Sequence, residues 1–300
     1  DINSNPRNPI IGMRSFGEDP EEVTQKAILY AYGSLSQNVL PVIKHFPGHG
    51  DTDTDSHHTL PVIPHSRQRL DSVELYPYQH LIEAGIPAVM VSHLAVKSID
   101  STGIPASLSS PVIQELLRRD LNFSGLCFTD AMNMKGVTQN SQPGEAEVKA
   151  LLAGNDMLLF PANLGKAVEA IKKALADSLL DERTIDEKCR KQKYVLPNVY
   201  PAETPGLWSR LNSPTDIALK QQLYQAAITL IKNTDSLLPL KRLDTLRIAS
   251  LNFGARAVNN FQTTLERYTQ VTHFVANKKL SDEELRNLQK KLQPFNCIII

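Results

Sequence analysis

Short apolar runs recur through the first half of the chain, each followed by a helical stretch, and this alternation limits the fold more than any other feature. Val39–Lys44, Ala88–Ser92, Leu126–Thr129 and Met157–Phe160 read as strands. Helical patterns cover Glu18–Ser34, Gln68–Ala84, Pro111–Leu121 behind Ser110, Glu145–Leu152, Leu164–Leu179 and Thr184 onward. Pro77 interrupts the second of these, and Thr184 with Glu187 fits a capping box. Strands that are apolar throughout are buried on both faces, and strand–helix repetition implies a parallel α/β architecture. Counting Asp1–Asn3 as the tail of a strand already under way gives five. A (β/α)8 barrel needs eight strands in about 250 residues, so a barrel here lacks roughly its first three units. A doubly wound open sheet fits the same strand count.

Residues 196–214 carry four prolines and read as a linker between a catalytic domain at 1–195 and a second domain at 215–300. The second domain is expected to hold a helix from Thr215, the apolar segment Ile228–Asn233 and a strand at Leu246–Leu251. It ends in Cys297-Ile298-Ile299-Ile300, as though cut within a buried strand. A chain of 300 residues with formal net charge +0 offers a polyanion no general attraction, so no nucleic-acid partner is expected. No apolar run approaches the roughly 20 residues needed to span a bilayer. Cys127, Cys189 and Cys297 are odd in number and widely spaced, which leaves no disulfide framework.

The chemistry concentrates in Lys44-His45-Phe46-Pro47-Gly48-His49-Gly50-Asp51-Thr52-Asp53-Thr54-Asp55-Ser56-His57-His58, a loop that glycine and proline keep out of regular structure. Asp51, Asp53 and Asp55 imitate the start of an EF-hand, but Ser56 stands where that loop needs glycine and Val62 where it needs glutamate. His45 and His49 have helical metal-pair spacing in a segment that cannot be helical. No metal and no cofactor is expected. The remaining reading is an Asp55–His57 dyad in which the carboxylate orients the imidazole for acid–base work; His58 competes for that role on composition.

Other polar residues close predicted strands: Lys44 and His45 after the first, His93 after the second, Asp130 after the third. Parallel α/β folds build their sites at these strand ends. Each also has a structural reading. Asp130 fits an N-cap of the following helix, His93 fits a core histidine satisfied by a carbonyl, and Arg14 fits an ion pair with Glu18 or Asp19. Lys44 needs a partner or a ligand.

Taken together, Arg14-Ser15-Phe16-Gly17-Glu18-Asp19, the Lys44–Gly50 run with Asp55-Ser56-His57 and Pro61, Met90-Val91-Ser92-His93, Phe128-Thr129-Asp130-Ala131-Met132-Asn133-Met134 and Ala153-Gly154-Asn155-Asp156-Met157 resemble glycoside hydrolase family 3, in its β-N-acetylhexosaminidase branch. Ile228–Leu240 resembles the start of that family's α/β-sandwich domain, with less specificity. The resemblance implies a TIM barrel lacking its first strands, and a retaining exo-glycosidase acting on terminal N-acetylglucosamine. It implies Asp130 as nucleophile, His57 oriented by Asp55 as acid/base, and Arg14, Lys44, His45 and His93 as substrate-binding residues. The partner is then a carbohydrate of muropeptide or chitooligosaccharide type. Two-domain members are often exported, which tips localisation toward a bacterial envelope. Because a neutral imidazole does not repel anions, phosphate is a conceivable acceptor in place of water. Three alternatives stay open: a family β-glucosidase, a metal-dependent hydrolase, and an inactive sugar-binding scaffold.

Overall fold

The computed structural model describes residues 1–54, 59–139, 141–195, 206 and 211–300, the side chains of 194 and 195 aside. It divides into two compact units, 1–202 and 203–300. Most of the expected linker, 196–205 and 207–210, lies outside the described residues.

In the first unit, α1 (Pro20–Leu35) leads to β1 (Ile43–Phe46), β2 (Val62–Ile63), α2 (Arg67–Ser72), α3 (Tyr76–Glu83), β3 (Ala88–Val91) and β4 (Ala95–Val96). A wide π-type helix (Pro111–Asp120) precedes β5 (Leu126–Ala131), α4 (Lys135–Thr138), α5 (Glu145–Ala153), β6 (Met157–Leu159), α6 (Leu164–Ala176) and α7 (Glu182–Val195). Strands β1, β3, β5 and β6 form one parallel sheet in that order, and β2 pairs with β4 beside it. Monotonic parallel order with a helix in each crossover is the winding of a β/α barrel. Phe46, Val89, Val91 and Cys127 pack with Leu70, Leu75, Ile113, Leu116 and Leu117 in one core cluster. Each such side chain contributes about 1.5–3 kcal/mol on burial.

Several boundaries differ from the sequence expectations. The first strand begins at Ile43, after Pro41, which has no N–H to give a ladder. Asp1–Asn3 is not a strand, although the Asp1 nitrogen donates to Lys44 O at 3.0 Å and Asn3 N to Gly17 O at 2.9 Å. The long helix at 68–84 is two helices, because Pro77 sits in the first turn of α3. Thr184 caps nothing: α7 begins at Glu182, and Asp181 accepts from the Arg183 N–H at 3.0 Å.

The second unit holds a parallel sheet in the order β8-β7-β9, with β7 at Ile248–Phe253, β8 at Val271–Ala276 and β9 at Cys297–Ile299. Ser213 and Asp216 form a capping box at the start of helix Pro214–Ala227. Residues 228–233 form neither helix nor strand, and Ile231 is 94% exposed.

Candidate active site

Strand register brings the predicted residues to one edge. Phe46 pairs with Val91 and Val91 with Thr129, so Lys44, His45, His93 and Asp130 share the C-terminal end of the sheet. Asp130 is half-buried at the end of β5, and among the described residues its one hydrogen bond is from the adjacent Ala131 N–H at 2.8 Å. It does not cap a helix, because α4 starts at Lys135 with Met134 in the cap position. The carboxylate thus keeps lone pairs unengaged, and its charge is felt by three imidazoles, those of His45, His49 and His93.

All three rings are buried, and burial lowers the pKa of each. For His45 the fall reaches about 3, with Asp130 opposing it and Lys44 and Arg14 adding to it. The hydrogen bonds agree with a neutral ring. Nδ1 lies 2.6 Å from Asp1 Oδ2 and donates to it, while Nε2 faces Arg14 Nη2 at 3.4 Å. Guanidinium offers only donors, so Nε2 must be the acceptor. His49 falls to about 4 for the same chief reason. In His93, Nε2–H donates to Ala131 O at 3.0 Å and Nδ1 accepts from the Ser107 hydroxyl at 2.7 Å. Both of its nitrogens are taken, so His93 braces the backbone beside Asp130, as the carbonyl-satisfied reading expects.

Arg14 and Lys44 are exposed and turned toward this edge. Asp19, one of the ion-pair partners considered for Arg14, instead caps α1, accepting from Glu22 N–H at 2.9 Å. A cavity of about 320 Å³ opens beside Asp1, Arg14 and Lys44. Its body is the apolar seam of Val23, Ala27, Pro77 and Leu81, and Asp130 is absent from its wall. Asp55 and His57 lie outside the described residues.

No motif in the sequence singles out Asp1. Its carboxylate accepts from His45 N–H at 3.1 Å and His49 N–H at 2.7 Å as well as from the His45 ring, and so fixes the Lys44–Gly50 run from a distant part of the chain. Glycine permits that closeness: a Cβ on Gly50 would lie 1.6 Å from Ile2 O, and one on Gly48, where φ is +137°, would lie 2.7 Å from Glu74 Cβ. Asp51, His65 and Glu74 bring ligand-type atoms within 4.8 Å of one another. Arg69 Nη1 already donates to both Glu74 oxygens, at 2.9 and 2.7 Å, so the group is an ion-pair network. In the second unit, Ser250, His273 and Glu266 line up like a nucleophilic triad, with Ser250 Oγ 2.7 Å from His273 Nδ1 and His273 Nε2 3.0 Å from Glu266 Oε1. Ser250 is only 1% exposed, and its oxygen accepts from the Gln262 amide, so it reaches no substrate.

Residues 1–194 match the family described as "Glycosyl hydrolase family 3 N terminal domain". The chain belongs to glycoside hydrolase family 3. Beta-hexosaminidase A of Pseudoalteromonas piscicida is 33% identical to it over 264 residues, which is 80% of this chain and 44% of that protein. Among solved structures, a family 3 beta-N-acetylglucosaminidase from Paenibacillus sp. str. FPU-7 superposes with TM-score 0.86 at 28% identity, covering 99% of this chain and 60% of that one. The beta-glucoside phosphorylase BglX superposes with TM-score 0.83 at 27% identity, over 94% of this chain and 60% of its own. The α/β sheet of the first unit is therefore a family 3, TIM-barrel-type fold, and the chain spans 44–60% of these relatives. Among the described residues, no helix is long and apolar enough to cross a membrane.

Proposed function

We propose that this chain carries the catalytic residues of a retaining exo-glycosidase that removes terminal β-linked N-acetylglucosamine, from muropeptides or chitooligosaccharides, through a covalent glycosyl-enzyme intermediate. The observation that carries the reading is the state of Asp130, a half-buried carboxylate at a strand end that is committed, among the described residues, to no cation and no helix cap, beside imidazoles whose pKa burial lowers. Asp130 attacks the anomeric carbon. The bond from that carbon to the glycosidic oxygen breaks, and the oxygen takes a proton from His57, which Asp55 orients. In the second half, water loses a proton to His57 and displaces Asp130. Most retaining enzymes give the acid/base task to a second carboxylate about 5–5.5 Å from the first. Arg14, Lys44 and His45 bind the sugar hydroxyls, and His93 holds the Asp130 strand end in place.

Release of p-nitrophenol from p-nitrophenyl N-acetyl-β-D-glucosaminide tests this, with the glucoside as control and with Asp130→Asn and His57→Ala alongside. Turnover of the N-acetyl sugar that Asp130→Asn abolishes supports the assignment, and turnover that survives that change sinks it. A second reading concerns the acceptor only. The neutral ring environment and the likeness to BglX favour admitting phosphate in place of water. Product analysis in phosphate buffer decides: a sugar 1-phosphate supports phosphorolysis, and free sugar alone excludes it.

A further inference from the structure

The side-chain carboxylate of Asp1 is 4% exposed, and the reaction proposed above gives it no task. It gathers three donors. Oδ1 accepts from the His49 N–H at 2.7 Å and the His45 N–H at 3.1 Å, and Oδ2 lies 2.6 Å from His45 Nδ1. An ionised carboxylate only accepts, so Nδ1 carries the ring proton and Nε2 keeps its lone pair. Nε2 faces Arg14 Nη2 at 3.4 Å, long for a hydrogen bond, so that lone pair is lightly held. Lys44 adjoins His45 in the chain and is exposed, and its charge and that of Arg14 both disfavour a second proton on the ring. The charge of Asp130 reaches the same ring. A hydrogen-bond acceptor is thus set among cationic donors, close enough to Asp130 to feel it.

We propose that Asp1 is a positioning residue that fixes the tautomer of His45, and so makes His45 the acceptor of a hydrogen bond from a sugar hydroxyl. The inference rests on the reading of Arg14, Lys44 and His45 as sugar-binding residues under Proposed function, and adds the sense in which they bind. A hydroxyl both donates and accepts. Here it donates to Nε2 and accepts from Arg14 or Lys44. In the other tautomer Nε2–H would join the two cations, three donors would converge, and the hydroxyl proton would meet no acceptor among them. A site built to hydrogen-bond a hydroxyl loses much of its grip when one of those bonds cannot form.

Asp1→Asn isolates the ring from the backbone contacts. The amide oxygen can still accept from the His45 and His49 N–H groups, while the amide N–H faces Nδ1 and draws the ring proton to Nε2. Two measurements on the full chain test the proposal: the ring 15N shifts of His45, which distinguish a protonated nitrogen from a bare one, and kcat/KM for p-nitrophenyl N-acetyl-β-D-glucosaminide and its analogues deoxyfluorinated at C3, C4 or C6. The unmodified chain is expected to show Nδ1–H with Nε2 bare, and Asp1→Asn the reverse. Asp1→Asn is expected to lower kcat/KM by about 10-fold or more for the parent sugar, and by about 2-fold or less for one of the three analogues, because fluorine cannot donate to Nε2 and has no such bond to lose. Equal losses on all four substrates, as general damage to the fold produces, overturn the proposal, and so does a proton on Nε2 in the unmodified chain. If Asp1→Asn does not fold, Asp1→Ser is measured the same way; failure of both to fold makes Asp1 a fold determinant and overturns the positioning role. Failure of the underlying reading looks different. The unmodified chain then turns over none of the four substrates, whatever the tautomer of His45, and the positioning role falls with it.

Discussion

Asp130 and Asp156 stand at opposite ends of neighbouring parallel strands and make opposite use of a carboxylate. Asp130 closes β5 with one hydrogen bond among the described residues, from its own neighbour's N–H. Asp156 lies just ahead of β6 and its side chain is 5% exposed. Its Oδ2 takes Arg118 Nη2 at 2.8 Å, Lys191 Nζ at 3.0 Å and the Cys127 N–H at 2.8 Å. If Asp130 is the nucleophile proposed above, one sheet separates stability from reactivity. At the N-terminal edge the charge is saturated and ties β5, β6, α7 and the π-type helix together. At the C-terminal edge the carboxylate is left unsaturated among rings that burial keeps neutral, so its lone pairs remain available to an electrophile.

The largest effect expected is at the unsaturated end. Asp130→Asn should lower kcat by on the order of 1000-fold or more, the scale for losing a nucleophile. Its denaturation midpoint should stay within about 1 kcal/mol of the unmodified chain, because few contacts depend on the charge. A variant that loses stability instead would make Asp130 a second Asp156. The converse change, Asp156→Ala, strands Arg118 and Lys191 and should cost about 3 kcal/mol in urea unfolding, with kcat of the folded protein unchanged. If kcat falls with no loss of stability, the division between the two edges is wrong.

Most of this contrast was legible in the sequence at the level of elements and much less at the level of partners. Unbroken apolar runs identified the strands, and their ends marked Lys44, His45, His93 and Asp130 as one group. The error at Thr184 arose because a capping pattern is local and weak, and here Asp181 reaches the helix start first. The Ile228–Asn233 run is apolar enough for a strand yet has no ladder partner among the described residues. Asp1 and Glu74 were invisible for another reason. Their meaning comes from residues far away in the chain, His45 and His49 for one and Gly48 for the other, and no spacing rule encodes a contact of that separation.

Gly50→Ala probes how tightly the unsaturated edge is held. The methyl group would meet Ile2 O, and overpacking of this kind costs about 2 kcal/mol. Displacing the Asp1–Asn3 segment should also loosen the Asp1 contacts with His45 and His49 and so lower kcat. A variant with normal melting and normal turnover would show that this segment does not set the site.

Acid titration gives the sharpest test, because it can convert one kind of edge into the other. His45 and His49 have folded pKa values near 3 and 4, below the ordinary 6.5 for an unfolded histidine. Between those values the unfolded chain binds protons that the folded chain refuses. Their contribution is therefore fully present above about pH 6.5 and is lost as pH falls toward 4 and then 3, at about 1 kcal/mol per pH unit for each ring. His49→Gln, which cannot titrate, should make the stability–pH curve between pH 6 and 4 shallower than that of the unmodified chain. An unchanged slope would mean that the ring is already protonated in the fold. Asp130 would then face cations, as Asp156 does, and its availability as a nucleophile would need another explanation.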